Sequence, residues 1–124
     1  MRIRKSIADL TDDEARELIK ALLLIKVEIA NPGAPLEEQV SVYDRFVSLH
    51  GSVMSVTAPG NPDVNMGHWF PGFLPWHREF LLRFERALNK VAPTGVEIAI
   101  PYWPWSDAAA TSDHMLQDLS LIHI

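Results

Sequence analysis

Cysteine is absent from the 124 residues. That one absence removes disulfides, thiolate metal ligands, iron–sulfur clusters and cysteine nucleophiles together, and it leaves the redox compartment open. Any metal must be held by nitrogen and oxygen. Cationic excess is also lacking: 11 Lys and Arg stand against 16 Asp and Glu, for a net charge of −5. Such a chain has no electrostatic footprint for nucleic acid or an anionic membrane. The apolar run from Ala21 to Ile25 is far too short to span a bilayer. Met1 to Lys5 begins like the charged start of a leader, but the polar, acidic stretch from Ala8 to Glu14 follows in place of an apolar segment. No signal peptide is expected in this chain, which reads as soluble; its compartment, cytoplasmic or reached by export with a partner, is left open. There is no phosphate-cradling glycine loop, no internal repeat and no Ser/His/Asp grouping with a nucleophile context. Asp44 and Asp63 are too isolated to pair as catalytic carboxylates.

What the chain has is ordinary globular material with one unusual region. Hydrophobic residues make up 48% and charged residues 22%, the balance of a soluble domain long enough for a real core. Thr11 and Glu14 form a capping box, and Ala15, Leu18, Ile19, Leu22 and Ile25 follow at helical spacing, predicting a helix that ends near Asn31 to Gly33. A second helix is predicted from about Leu36 to Met54, with Val40, Tyr43, Val47, His50 and Met54 on its inward face. Residues 57–66 are dense in turn formers and read as a loop. A third helix should start near Pro75 or Trp76, where proline is tolerated, and run to about Asn89. On it His77, Leu81, Phe84 and Leu88 share one stripe. Arg78, Glu79, Arg83 and Arg86 read as salt-bridged surface. Val96 to Trp103 alternates in a β-like manner, and Pro101 and Pro104 force an extended path.

The unusual region runs from His68 to Glu85. Nine of the eleven aromatic residues lie between Trp69 and Trp105, which suggests a hydrophobic wall around His50, His68 and His77. Trp69, Phe70 and Phe73 argue that His68 is buried. Taken singly, each histidine has a plainer reading, as a hydrogen-bonded core residue or a solvated loop residue. Taken together, three imidazoles from nearby elements make a metal site suited to copper or zinc, with a position left open for chemistry. Glu85, two turns beyond His77, can reach a ligand histidine or an arginine.

The stretch from His68 to Glu85 resembles the first copper-site signature of the tyrosinase family: a histidine, four residues, then Phe73, Leu74, Pro75, Trp76, His77 and Arg78, with an apolar residue and Glu at the expected steps. Tyr43 to His50 resembles the helix that supplies that family's first ligand. Ile100 to Asp107 resembles the segment after the third ligand, although the family usually has Asp where this chain has Pro104. Arg4, Lys5 and Leu10 to Asp12 resemble the start of bacterial members, so the likeness covers roughly residues 3–107. It implies a mainly α fold: the helical-bundle core of the type 3 copper proteins, incomplete here, with an extended Pro/Trp-rich segment near residues 96–107. It also implies that His50, His68 and His77 are the three ligands of the first copper, CuA. The family hydroxylates monophenols to o-diphenols and oxidises o-diphenols to o-quinones with O2, so the partners implied are phenolic small molecules and O2. A helper protein for copper loading or export is unknown.

The family centre holds two copper ions on six histidines, and this chain has five in all. His114 and His123 fit no family spacing and read as incidental. Residues 1–107 are therefore expected to be the N-terminal, CuA half of a tyrosinase copper-binding domain. Residues 108–124 are left unassigned, a tail that is truncated or non-native. Alone, this half is expected to be inactive. Two other readings stand beside this one: an oxygen carrier of the haemocyanin type, and an inactive helical fragment without bound metal. Monophenolase and diphenolase activity cannot be separated on these residues. With no cysteine, no thioether link to a ligand histidine can form within the segment.

Overall fold

The computed structural model describes residues 3–65, 68–104 and 106. Helix α1 spans Asp12–Val27 and α2 spans Val42–Met54; a two-stranded hairpin follows, β1 (Thr57–Ala58) and β2 (Asn61–Asn65), and then α3 spans Phe73–Val91. The described residues are thus mainly helical, as expected. Among them no helix is long and apolar enough to cross a membrane.

Helix α1 starts where the capping box puts it. The Thr11 hydroxyl accepts from the Glu14 N–H, and the Glu14 carboxylate accepts from the Thr11 N–H at 3.0 Å. The helix stops at Val27, short of the expected Asn31 to Gly33, because Ile29 leaves it to form an antiparallel bridge with Ser41. That bridge also corrects the start of the second helix. Leu36–Glu38 form only a single 3-10 turn, and α2 begins at Val42. Between them Asn31 accepts from the Val40 N–H, Val40 accepts from the Ala30 N–H, and Ser41 caps α2 by accepting from the Asp44 N–H at 3.0 Å. Once residues 39–41 are extended to pair with 29–31, their backbone groups are satisfied outside any helix.

The stretch read as a loop is a hairpin over Thr57–Asn65. Its turn uses Pro59 and Gly60, and Gly60 adopts φ +79°. Proline followed by a residue with positive φ is the pair a type II turn requires. Helix α3 begins at Phe73, earlier than the prolines suggested, with Gly72 at its N-cap and no side-chain cap. Pro75 then falls in the first turn, where its missing N–H removes no intrahelical bond.

The core sits where α1 and α3 meet the extended C-terminal segment. Ala21, Ile25, Leu88 and Ile98 are buried, and Leu18, Leu22, Val42, Tyr43 and Phe84 pack around them. The extended segment is held by side chains standing in for a neighbouring strand. Asn89 donates to Ile98 O at 2.7 Å and accepts from Ile98 N–H at 2.9 Å. Glu85 accepts from the Ile100 N–H at 3.0 Å and from Arg4 Nε at 2.8 Å. Tyr102 exchanges backbone bonds of 2.9 Å with Lys5 and Ile7, so the N-terminal arm lies alongside. Segment 96–104 is extended, as expected, yet outside any ladder but the isolated Ser6–Tyr102 bridge.

Candidate metal centre

The three histidines come together at the end of the α2–α3 pair remote from the buried core. His50 lies in the last turns of α2 and His77 in the second turn of α3. Aromatic pairs show that the two helices run antiparallel: Tyr43 meets Phe84, Phe46 meets both Phe84 and Phe80, and His50 meets Phe80 and Trp76. Ring centroids are 5.6 Å apart for His50 and His77, 5.6 Å for His50 and His68, and 5.1 Å for His68 and His77. One nitrogen from each ring lies within 4.8 Å of the other two.

The donor set fits a metal ion. Three imidazole nitrogens at about 2.0–2.1 Å from one ion stand about 3.4 Å from each other. The observed spacing, within 4.8 Å, is somewhat wider than a closed site. His77 is oriented in advance. Its Nδ1 lies 2.9 Å from the carbonyl oxygen of Phe73, one turn earlier. A carbonyl can only accept, so this contact selects the tautomer with its proton on Nδ1, which leaves the Nε2 lone pair available to a metal. No acidic side chain completes the group among the described residues. A centre of neutral nitrogen ligands suits a redox-active copper better than an oxygen-seeking Mg²⁺ or Ca²⁺.

Apolar rings border the histidines. Phe73 lies 4.4 Å and Trp76 4.8 Å from His77, ring to ring, and Phe80 stacks on Trp76 at 5.2 Å. Beside them Tyr43, Phe46, Val47, His50, Phe80, Leu81, Phe84 and Ile100 line an apolar cavity of about 320 Å³.

Several expectations change at this site. His50 and His77 are half-buried as their helical phase suggested, but His68 is exposed. Trp69 is 78% exposed and Phe70 44%, so two of the three neighbours that argued for burial are themselves exposed, while Phe73 packs on the His68 ring at 5.6 Å. Val47 and Met54 are exposed as well. The inward stripe of α2 is Tyr43, Phe46 and His50, and Phe46 was missed because Val47 competes with it for the same helical phase. Glu85 is buried at 5% exposure and pairs with Arg4; of the two partners it could reach, the arginine is the one observed. Glu79 pairs with Arg83 on the surface, as expected. His114 and His123 lie outside the described residues. Asn65 was also missed: its side chain accepts from the His68 N–H at 3.1 Å, and a lone Asn in a turn-rich stretch carries no signal of such a role.

Comparison with known proteins agrees with this geometry. The family model for the common central domain of tyrosinase matches residues 40–121, a span that contains all three histidines. Grixazone synthase from Streptomyces griseus is 37% identical over 115 residues, covering 92% of this chain and 31% of that protein. A tyrosinase from Streptomyces antibioticus is 39% identical over 112 residues, covering 90% of this chain and 34% of the relative. A tyrosinase from Pelodiscus sinensis is 36% identical over 127 residues, covering 87% of this chain and 46% of the relative. The chain thus spans about a third of the length of the two Streptomyces proteins. With most of the chain, its histidine grouping included, inside the matched domain, the chain belongs to the tyrosinase family.

Proposed function

We propose that His50, His68 and His77 bind one copper ion, and that this chain is the part of a longer copper oxidoreductase that carries the first of two copper sites. The observation that carries this reading is the convergence of three ring nitrogens within 4.8 Å, inside the residues that match the tyrosinase domain. Bound copper supplies reversible one-electron chemistry and a place for O2 to bind, and neutral imidazoles suit both of its oxidation states. The protein supplies the rest. The Phe73 carbonyl holds the His77 ring with Nε2 outward. Phe73, Trp76 and Phe80 keep water from the half-buried side of the centre, and Trp76 and Phe80 pack α3 against His50 of α2. The exposed side, at His68, is left for the other half of the centre and for the phenol.

The substrates we infer are monophenols and o-diphenols, oxidised with O2 to o-quinones. The named relatives are tyrosinases and a grixazone synthase, and those names favour an oxidoreductase over an oxygen carrier. One ligand triad serves one ion, so turnover is expected of the full-length protein and not of residues 1–107 alone. Titration with Cu(II) tests the ligand assignment: one ion per chain is expected, and His68→Ala should lose it. Unchanged affinity and stoichiometry in His68→Ala would overturn it. For the activity, a copper-loaded full-length protein should consume O2 on addition of an o-diphenol; no quinone absorbance would mean that the oxidoreductase reading fails.

A further inference from the structure

Asn65, the last residue of β2, joins the two parts of the structure that carry His50 and His68. Its Nδ2 donates to the carbonyl oxygen of Met54, the last residue of α2 and one turn beyond His50. Its Oδ1 accepts from the His68 N–H at 3.1 Å, and its own carbonyl accepts from the Trp69 N–H at 2.8 Å and the His68 N–H at 3.3 Å. On its other side the backbone pairs with Thr57 of β1. His68 needs such a fixture. His50 and His77 are held by helices, whereas His68 sits exposed in a turn, its ring packed on Phe73 of α3.

We propose that Asn65 is a positioning residue of the metal centre: it ties the C-terminal end of α2 to the His68 turn, so that the His50 and His68 rings are preset to share one ion. This inference rests on reading the three histidines as ligands. Asparagine suits the task because a short, stiff side chain offers a donor and an acceptor at once, one for each element it joins. Presetting a loop ligand raises affinity because the turn need not be ordered at the moment of binding. Residues that orient metal ligands in this way typically alter affinity tenfold to a hundredfold when removed.

Two variants test it, Asn65→Ala, which removes both bonds, and Asn65→Ser, whose hydroxyl can still accept from the His68 N–H but cannot reach Met54. Cu(II) affinity measured against a competing chelator should fall about tenfold to a hundredfold in both, with one ion per chain and helix content by circular dichroism unchanged. In the metal-free chain the NOE between the His50 and His68 rings should weaken in both. If Asn65→Ala loses helix content, Asn65→Ser carries the same comparison. A folded variant that keeps wild-type affinity and the wild-type NOE overturns the inference while leaving the ligand assignment intact. Failure of the wild-type chain to take up copper overturns the ligand assignment, and the NOE then decides the positioning role by itself.

Discussion

The Nδ1 of His77 faces the carbonyl oxygen of Phe73 at 2.9 Å, and that contact selects the tautomer whose free lone pair is on Nε2. The expected outcome is a His77 ring whose neutral tautomer in the metal-free chain carries its proton on Nδ1. Long-range ¹H–¹⁵N correlation spectra of the imidazole rings check this directly. A proton on Nε2 would mean that the hydrogen bond does not form and the ring is not set for binding.

Glu85 tests how the centre's scaffold is held. Its buried carboxylate accepts from Arg4 and from the Ile100 N–H, so it fastens the N-terminal arm and the extended segment to α3. Glu85→Ala leaves a backbone donor and a guanidinium without their acceptor. Hydrogen bonds to charged groups are worth about 1.5–3 kcal/mol, and a loss in that range is expected from urea unfolding. Glu85→Gln, which keeps one acceptor oxygen, should lose less.

The core makes a second stability prediction. Leu88 is fully buried against Ile25 and Ile98. Leu88→Ala should cost about 2–5 kcal/mol through lost burial and the cavity left behind. That is a large share of the margin of a small domain, so unfolding of the variant near room temperature would be unsurprising. A loss below half a kilocalorie would place Leu88 outside the core.

The start of α1 should show a pH signature. The Lys5 ammonium, and after it the Thr11 N–H, hold the Glu14 carboxyl below its ordinary 4.5. A carboxylate with a depressed folded-state pKa contributes stability above its unfolded value, and loses that contribution as pH falls through the folded one. The thermal midpoints of wild type and Glu14→Gln should therefore differ at about pH 6 and converge below pH 4.5. Addition of salt should shrink the difference at neutral pH, because the Lys5–Glu14 pair is exposed and screened.

Local chemistry was legible wherever its cause lay within a few residues. The capping box at Thr11 and Glu14, the helical stripe from His77 to Leu88 and the extended path of 96–104 all depend on neighbours one turn away or less, and each is found. The misjudged boundaries have distant causes. Leu36 to Gln39 carries nothing that forbids a helix; residues 29–31, across a turn, claim its end. The hairpin over Thr57–Asn65 needs the pairing of Thr57 with Asn65, which turn composition cannot announce.

At the site the same division holds. By itself the sequence determined which residues could bind a metal, that sulfur could not be among the ligands, and that two of the three histidines face inward on helices, because residue chemistry and helical phase are local properties. Only the tertiary structure decided that the three rings meet, that His68 is exposed, that Phe46 packs on Phe80 and Phe84 of α3, that Asn65 joins the end of α2 to the His68 turn, and that Glu85 binds segments far from it in sequence. Those outcomes depend on how helices cross and where loops return, and such distances are set by packing between elements rather than by any one stretch of chain.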